Sequence, residues 1–167
     1  MNYELIINST STEVVLALLK NKQLIELHKE KHDNDFSVGD VYVGKVRKVI
    51  PSLNAAFINV GYEKDAFLHY LDLGPQYRSM NGYIQKTLKG KQSSASLASS
   101  KIEADIDKHG KIKDILSSSQ LIAVQIAKEP ISSKGPRLTA EVTLAGRFVV
   151  LVPFSNKISI SQKIKDP

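Results

Sequence analysis

Apolar and polar positions along this chain alternate in short runs of the kind that strands produce, and long helical periods are absent. Tyr3 to Asn8 is one such run. Val14 to Leu27 reads as two strands turning at Lys20-Asn21-Lys22-Gln23. Thr10 and Glu13 also have the spacing of a helix capping box ahead of VVLALL. The β-branched residues and the return run LIEL favour a hairpin over that helix. From Val38 to Leu71 the pattern is a meander: VGDVYVGKVRKVI, a turn at Pro51, NAAFINVG, a turn at Gly61-Tyr62-Glu63-Lys64, then DAFLHYLDL. In its first strand Val41, Val43, Lys45, Arg47 and Val49 alternate with Tyr42, Gly44, Val46, Lys48 and Ile50, which predicts two faces. Three later runs, LIAVQIAKE, PRLTAEVTLAG and GRFVVLVP, extend the β reading, divided by Pro130 to Gly135 and by Ala145-Gly146.

Between these groups the pattern weakens. HKEKHDND, from His28, is a polar connector that places a boundary near residue 35. The stretch from Gln76 to Gln120 is rich in Ser and Lys with few large apolar residues, so a mobile insertion at about 77–111 is expected, closed by a short helix at KIKDIL. The chain stops soon after the strand-like ISIS, which suggests a piece of something longer.

Composition narrows the chemistry. The 167 residues contain no Cys, so disulfides and thiolate metal sites are excluded, and a reducing, cytosolic setting fits. No apolar run approaches the roughly 18 residues of a membrane span, and the first residues lack a signal-peptide pattern. The core is expected to be aliphatic, because aromatics make up only 7% and Trp is absent. A net charge of +6 draws in polyanions such as RNA, DNA or acidic lipid surfaces. His28 and His32 are spaced for a metal on a helix but have no third ligand. Glu103, Asp105 and Asp107 alternate as carboxylates around a cation do, in a setting that reads better as a solvated charge cluster. There is no GxxxxGK[ST], no HExxH and no recognisable Ser-His-Asp motif.

A small barrel that binds single strands needs rings for stacking and cations for phosphate. Phe57 and Phe67 flank Gly61 within SLNAAFINVGYEKDAFLHYLDL. The segment VGDVYVGKVRKVIPSLNAAFINVGYEKDAFLHYLDL resembles an S1-type RNA-binding domain, and specifically the one within the ribonuclease E/G family. LIINST, ALLKNKQLIEL, KIKDIL, VQIAKEPISSKGPRLTAEVTLAGRFVVLVP and ISISQKI resemble the amino-terminal region of that family in order.

The resemblance implies a mainly β protein: a β-hairpin of a ribonuclease H-like subdomain (1–35), a five-stranded OB-fold barrel of S1 type (36–140), and the truncated start of a 5′-sensor region (141–167). It implies that Phe57 and Phe67 stack on bases of single-stranded RNA and that Lys134 approaches phosphate or sugar. Lys45 and Arg137, with Arg47 and Lys48 as weaker candidates, would widen an electrostatic groove. The family's catalytic aspartates, which hold Mg2+, belong to a later nuclease subdomain, and the cysteine-bound zinc link that joins its homo-oligomers lies later still. The 167 residues are therefore expected to bind RNA without cofactor and without catalysis, as part of a cytoplasmic endoribonuclease. A stand-alone S1/OB RNA-binding protein, or an interaction barrel with Phe57 and Phe67 in a core, are the alternatives.

Overall fold

A computed structural model describes residues 2–31, 36–92, 94, 96–97, 100–146, 148–156 and 159–160. The chain divides into two compact units, 1–35 and 36–167.

In the first unit β1 (Tyr3–Ser9), β2 (Glu13–Lys20) and β3 (Gln23–Lys31) form an antiparallel sheet in the order β1-β2-β3. Asn21 and Lys22 both take positive φ, 49° and 67°, the backbone that a two-residue hairpin needs to match strand twist. Thr10 Oγ accepts from Glu13 N at 3.1 Å, the bond a helix cap would make, but the same hydroxyl donates to Glu13 O at 3.0 Å. The pair therefore closes a turn between β1 and β2. The spacing is shared by both motifs, and the β-branched run after it decides between them.

The second unit is built on a closed barrel of β4 (Val41–Ile50), β5 (Ala55–Asn59), β6 (Ala66–His69), β7 (Leu121–Lys128) and β8 (Arg137–Thr139). Its order is β4-β5-β6-β8-β7, antiparallel except where β6 meets β8 in parallel. This is the arrangement of an OB fold. Val46, Ala56, Ile58, Ala66, Leu68, Ile122, Val124, Ile126 and Leu138 fill the interior, all buried, in the period of two that strands impose. The aliphatic core expected from composition is present, with Tyr70 and Tyr77 added at its edge.

Several elements differ from the sequence reading. The expected insertion carries a 12-residue helix, α1 (Tyr77–Leu88), which places Tyr77, Met80 and Ile84 along one side. Ser79, Asn81 and Gly82 lower its intrinsic propensity, and packing overrides them. Gln85 Nε2 donates to Leu121 O at 2.8 Å, and Gln120 Nε2 donates to the Tyr77 hydroxyl at 3.1 Å, so the helix is fixed to β7. Farther along, Ile106 and Ile112 are buried in the same core. KIKDIL gives a single 3-10 turn, Ile112–Asp114. Asn54, in the left-handed region with φ 46°, anchors this end: its Nδ2 donates to Gly110 O at 3.1 Å and its Oδ1 accepts from Ile112 N at 2.6 Å.

The run PRLTAEVTLAG is not one strand. It splits into β8 and β9 (Leu144–Ala145), which joins β10 (Val149–Leu151) and β11 (Ser159–Ile160) in a separate sheet. The buried Gln125 makes the break. Its amide donates to Thr143 O at 2.9 Å and accepts from Thr143 N at 2.9 Å, supplying both bonds a neighbouring strand would have supplied.

Two predictions test this packing. A Cβ on Gly135 would lie 2.3 Å from Asp65 O, a backbone atom that cannot swing aside. Gly135→Ala should lower stability by about 1–3 kcal/mol, read as an earlier urea midpoint. Burial holds the Tyr77 phenol well above its ordinary value, partly offset by the bond from Gln120. In the unfolded chain it ionises near pH 10. Its stabilisation is therefore whole below that pH and is lost as pH rises toward its folded value. Between about pH 9 and 11 the wild-type melting temperature should fall more steeply than that of Tyr77→Phe.

Candidate nucleic-acid interface

Alternation along β5 and β6 sorts their side chains. Ala56, Ile58, Ala66 and Leu68 point into the barrel, which leaves Phe57, Asn59, Phe67 and His69 on the outer face, half-buried. Phe57 and Phe67 are direct cross-strand partners. Their ring centroids are 5.9 Å apart with planes at 68°, an edge-to-face pair. Such a pair contributes about 0.5–1.5 kcal/mol beyond the area it buries.

Register extends the pair into a row. Lys48 lies opposite Phe57 on β4, Arg137 lies opposite Phe67 on β8, and Lys128 lies opposite Arg137 on β7. Followed round the barrel wall at the usual spacing of neighbouring strands, the row is about 19 Å long. Lys45 sits opposite Asn59, beside this row. The alternation read from the sequence put Arg47 and Lys48 on opposite faces; a β-bulge between Val46 and Lys48 leaves both exposed.

The cations differ in how far they are committed. Arg137 donates from Nε and Nη2 to Asp72 Oδ2 at 3.2 and 2.9 Å, so it is held against the barrel by a partly buried carboxylate. Arg47 lies 3.8 Å from Asp65. Among the described residues Lys45, Lys48, Lys128 and Lys134 have no ion pair.

Lys134 is exposed in a tight turn, where Ile131 N donates to Lys134 O at 3.1 Å and Lys134 N to Ile131 O at 2.6 Å. This loop leans on the β5–β6 turn. Lys64 Nζ donates to Ser132 O at 2.9 Å, and Phe67 N donates to Pro136 O at 2.9 Å. Lys134 thus stays within about 7 Å of the residue that anchors Phe67, measured along the chain.

His69 and Lys128 were missed in the sequence reading. His69 follows Phe67 by two residues, so strand alternation alone would have found it. Lys128 needs the β7–β8 register, which no local pattern carries. His69 Nδ1 accepts from Leu71 N at 3.2 Å, which leaves Nε2 as the protonated nitrogen of the neutral ring.

Of the two metal readings, His28 lies on β3 near Glu26, while His32 falls outside the described residues. Among the described residues no three His, Asp or Glu side chains come together, Glu103, Asp105 and Asp107 included. The Mg2+ implied by the family resemblance finds no ligand set among them. No helix of the described residues is long and apolar enough to cross a membrane.

No family model matches the chain. Individual relatives do. Ribonuclease G of Haemophilus influenzae is 33% identical over 162 residues, 97% of this chain and 29% of that protein. Ribonuclease E of a Nostoc species is 36% identical over 129 residues, 77% of this chain and 15% of the relative. A ribonuclease E/G-like protein of Pyropia yezoensis is 40% identical over 132 residues, 78% of this chain and 21% of the relative. The chain spans less than a third of the length of each of these relatives. Identity at this level, over 77–97% of the chain, has one reading: the chain belongs to the ribonuclease E/G family.

Proposed function

We propose that these residues hold single-stranded RNA for a ribonuclease E/G-like endoribonuclease, with the outer face of the barrel as the binding surface. The observation that carries this reading is the Phe57–Phe67 pair set directly between Lys48 and Arg137 across four strands. The rings offer stacking surface to bases, and the flanking cations offer attraction to the phosphates on either side. Lys45, Lys128 and Lys134 widen the positive rim, and His69 adds a hydrogen-bond donor beside Phe67. Arg137, tied to Asp72, acts more as a fixed wall of the groove than as a mobile counter-charge.

Phosphodiester hydrolysis, and the Mg2+ it uses, we place in parts of the protein other than these 167 residues. The separation of the described carboxylates supports that placement, since two-metal hydrolysis needs several converging on one rigid scaffold. Assembly of the whole protein as a homo-oligomer in the cytoplasm belongs to the same proposal.

The test is a titration of short single-stranded RNA by fluorescence anisotropy at several salt concentrations, with melting temperatures measured alongside. Phe57→Ala and Phe67→Ala should each weaken binding about tenfold or more, the size of one stacked base. Lys48→Ala and Lys128→Ala should each flatten the salt dependence by about 0.7 in the log–log slope. Ring variants that melt earlier yet bind RNA as tightly as the wild type would sink the reading and make the pair a packing element alone.

A further inference from the structure

Where β6 ends, the chain makes one 3-10 turn, Tyr70–Asp72, that buries Tyr70 and leaves Leu71 62% exposed. Beside this turn lies a cleft of about 280 Å3 that no part of the ring face uses. Leu71, Pro75 and Ile106 supply apolar walls, and Asp107, Lys108 and Glu141 stand around them.

The cleft is pre-formed. The Tyr70 hydroxyl donates to Asp107 O, Gly110 N donates to the same carbonyl at 3.1 Å, and His109 N donates to Asp107 Oδ1 at 2.9 Å. On the other wall Gly74 has φ +76°, and a Cβ there would lie 2.6 Å from Glu141 Cβ. Only glycine gives both that backbone and the room for Glu141 to lie against the turn.

We propose that this cleft takes one base of the bound RNA, and specifically a base with an exocyclic amino group. The inference rests on the RNA-binding reading given above. The volume is at the lower edge of small-ligand pockets, about 300–1,000 Å3, so it suits a single ring system. Apolar walls suit the flat faces of a base. Ionised carboxylates only accept hydrogen bonds, so Asp107 and Glu141 favour the amino edge of cytosine, adenine or guanine. Uracil would set carbonyl oxygens against them. A phosphate is disfavoured by two carboxylates facing one lysine. Position supports the same ligand: Leu71 is four residues from Phe67, within about 13 Å along the chain, and His69 lies between them. A strand stacked on the rings therefore reaches the cleft by continuing along β6.

The experiment uses the whole 167-residue chain and fluorescently labelled oligouridines in which a single cytidine is moved through every position. The wild type should show one position at which cytidine binds about tenfold more tightly than uridine. Glu141→Ala should abolish that gain while the all-uridine strand binds at least as tightly as it does to the wild type. Leu71→Ser, at an exposed site that leaves the core alone, should reduce the gain as well. If the wild type binds every oligomer equally while Phe57→Ala weakens them all, the cleft proposal is overturned and the ring face stands. If no oligomer binds, both fall. A positional preference that survives Glu141→Ala combined with Asp107→Ala, in variants that melt normally, also overturns the cleft as its source.

Discussion

Everything on the outer face depends on the parallel contact that closes the barrel between β6 and β8. It is short: one register pair, Phe67 with Arg137, with Phe67 N donating to Pro136 O at its start. Its surroundings make it secure. Gly135 lets the incoming strand touch the Asp65 backbone, Lys64 reaches Ser132, and Ala140 N donates to Asp72 O at 2.8 Å. Asp72 ties the seam twice more, through its carbonyl to Thr139 and through its carboxylate to Arg137. Without this seam Phe67 would border solvent on one side, and the cations of β7 and β8 would have no fixed relation to the rings.

In the proposed reading the two phenylalanines serve packing and binding together. Edge-to-face contact keeps each ring half-buried, which limits the apolar surface shown to water and holds the rings at a fixed angle. A flexible aromatic would lose more freedom on meeting a ligand. The cations around the pair divide in a similar way. Those with acidic partners, Arg137 and Arg47, shape the rim, and in the proposed reading the lysines without ion pairs among the described residues carry the attraction.

Much of this was legible in the sequence, and the limits have physical causes. Period-two alternation gave β4 to β6, and with it the shared outward direction of Phe57 and Phe67. The turn residues between Lys20 and Gln23 gave the hairpin. Helix α1 was hidden because Ser79, Asn81 and Gly82 dilute its signal, and its stability comes from contacts with β7 far along the chain. The break between β8 and β9 was hidden because a side chain, Gln125, replaces a strand neighbour. Lys48 and Arg137 were nameable as cations near the site. Their alignment with the rings was not, because it follows from pairings across the barrel.

The bulge in β4 gives the face a particular sensitivity. Two consecutive basic residues, Arg47 and Lys48, point outward because the strand holds one residue more than its partner needs. Most exchanges of type along this edge would alter charge and little else. Loss of Arg47 itself would leave Val46 and Lys48 consecutive opposite Ile58 and Phe57, so the register would hold and one cation would go, whereas loss of a residue elsewhere in the strand would carry everything after it to the opposite side. Outside the bulge, length is more strictly constrained than composition. Relatives should tolerate substitutions here far more readily than insertions or deletions.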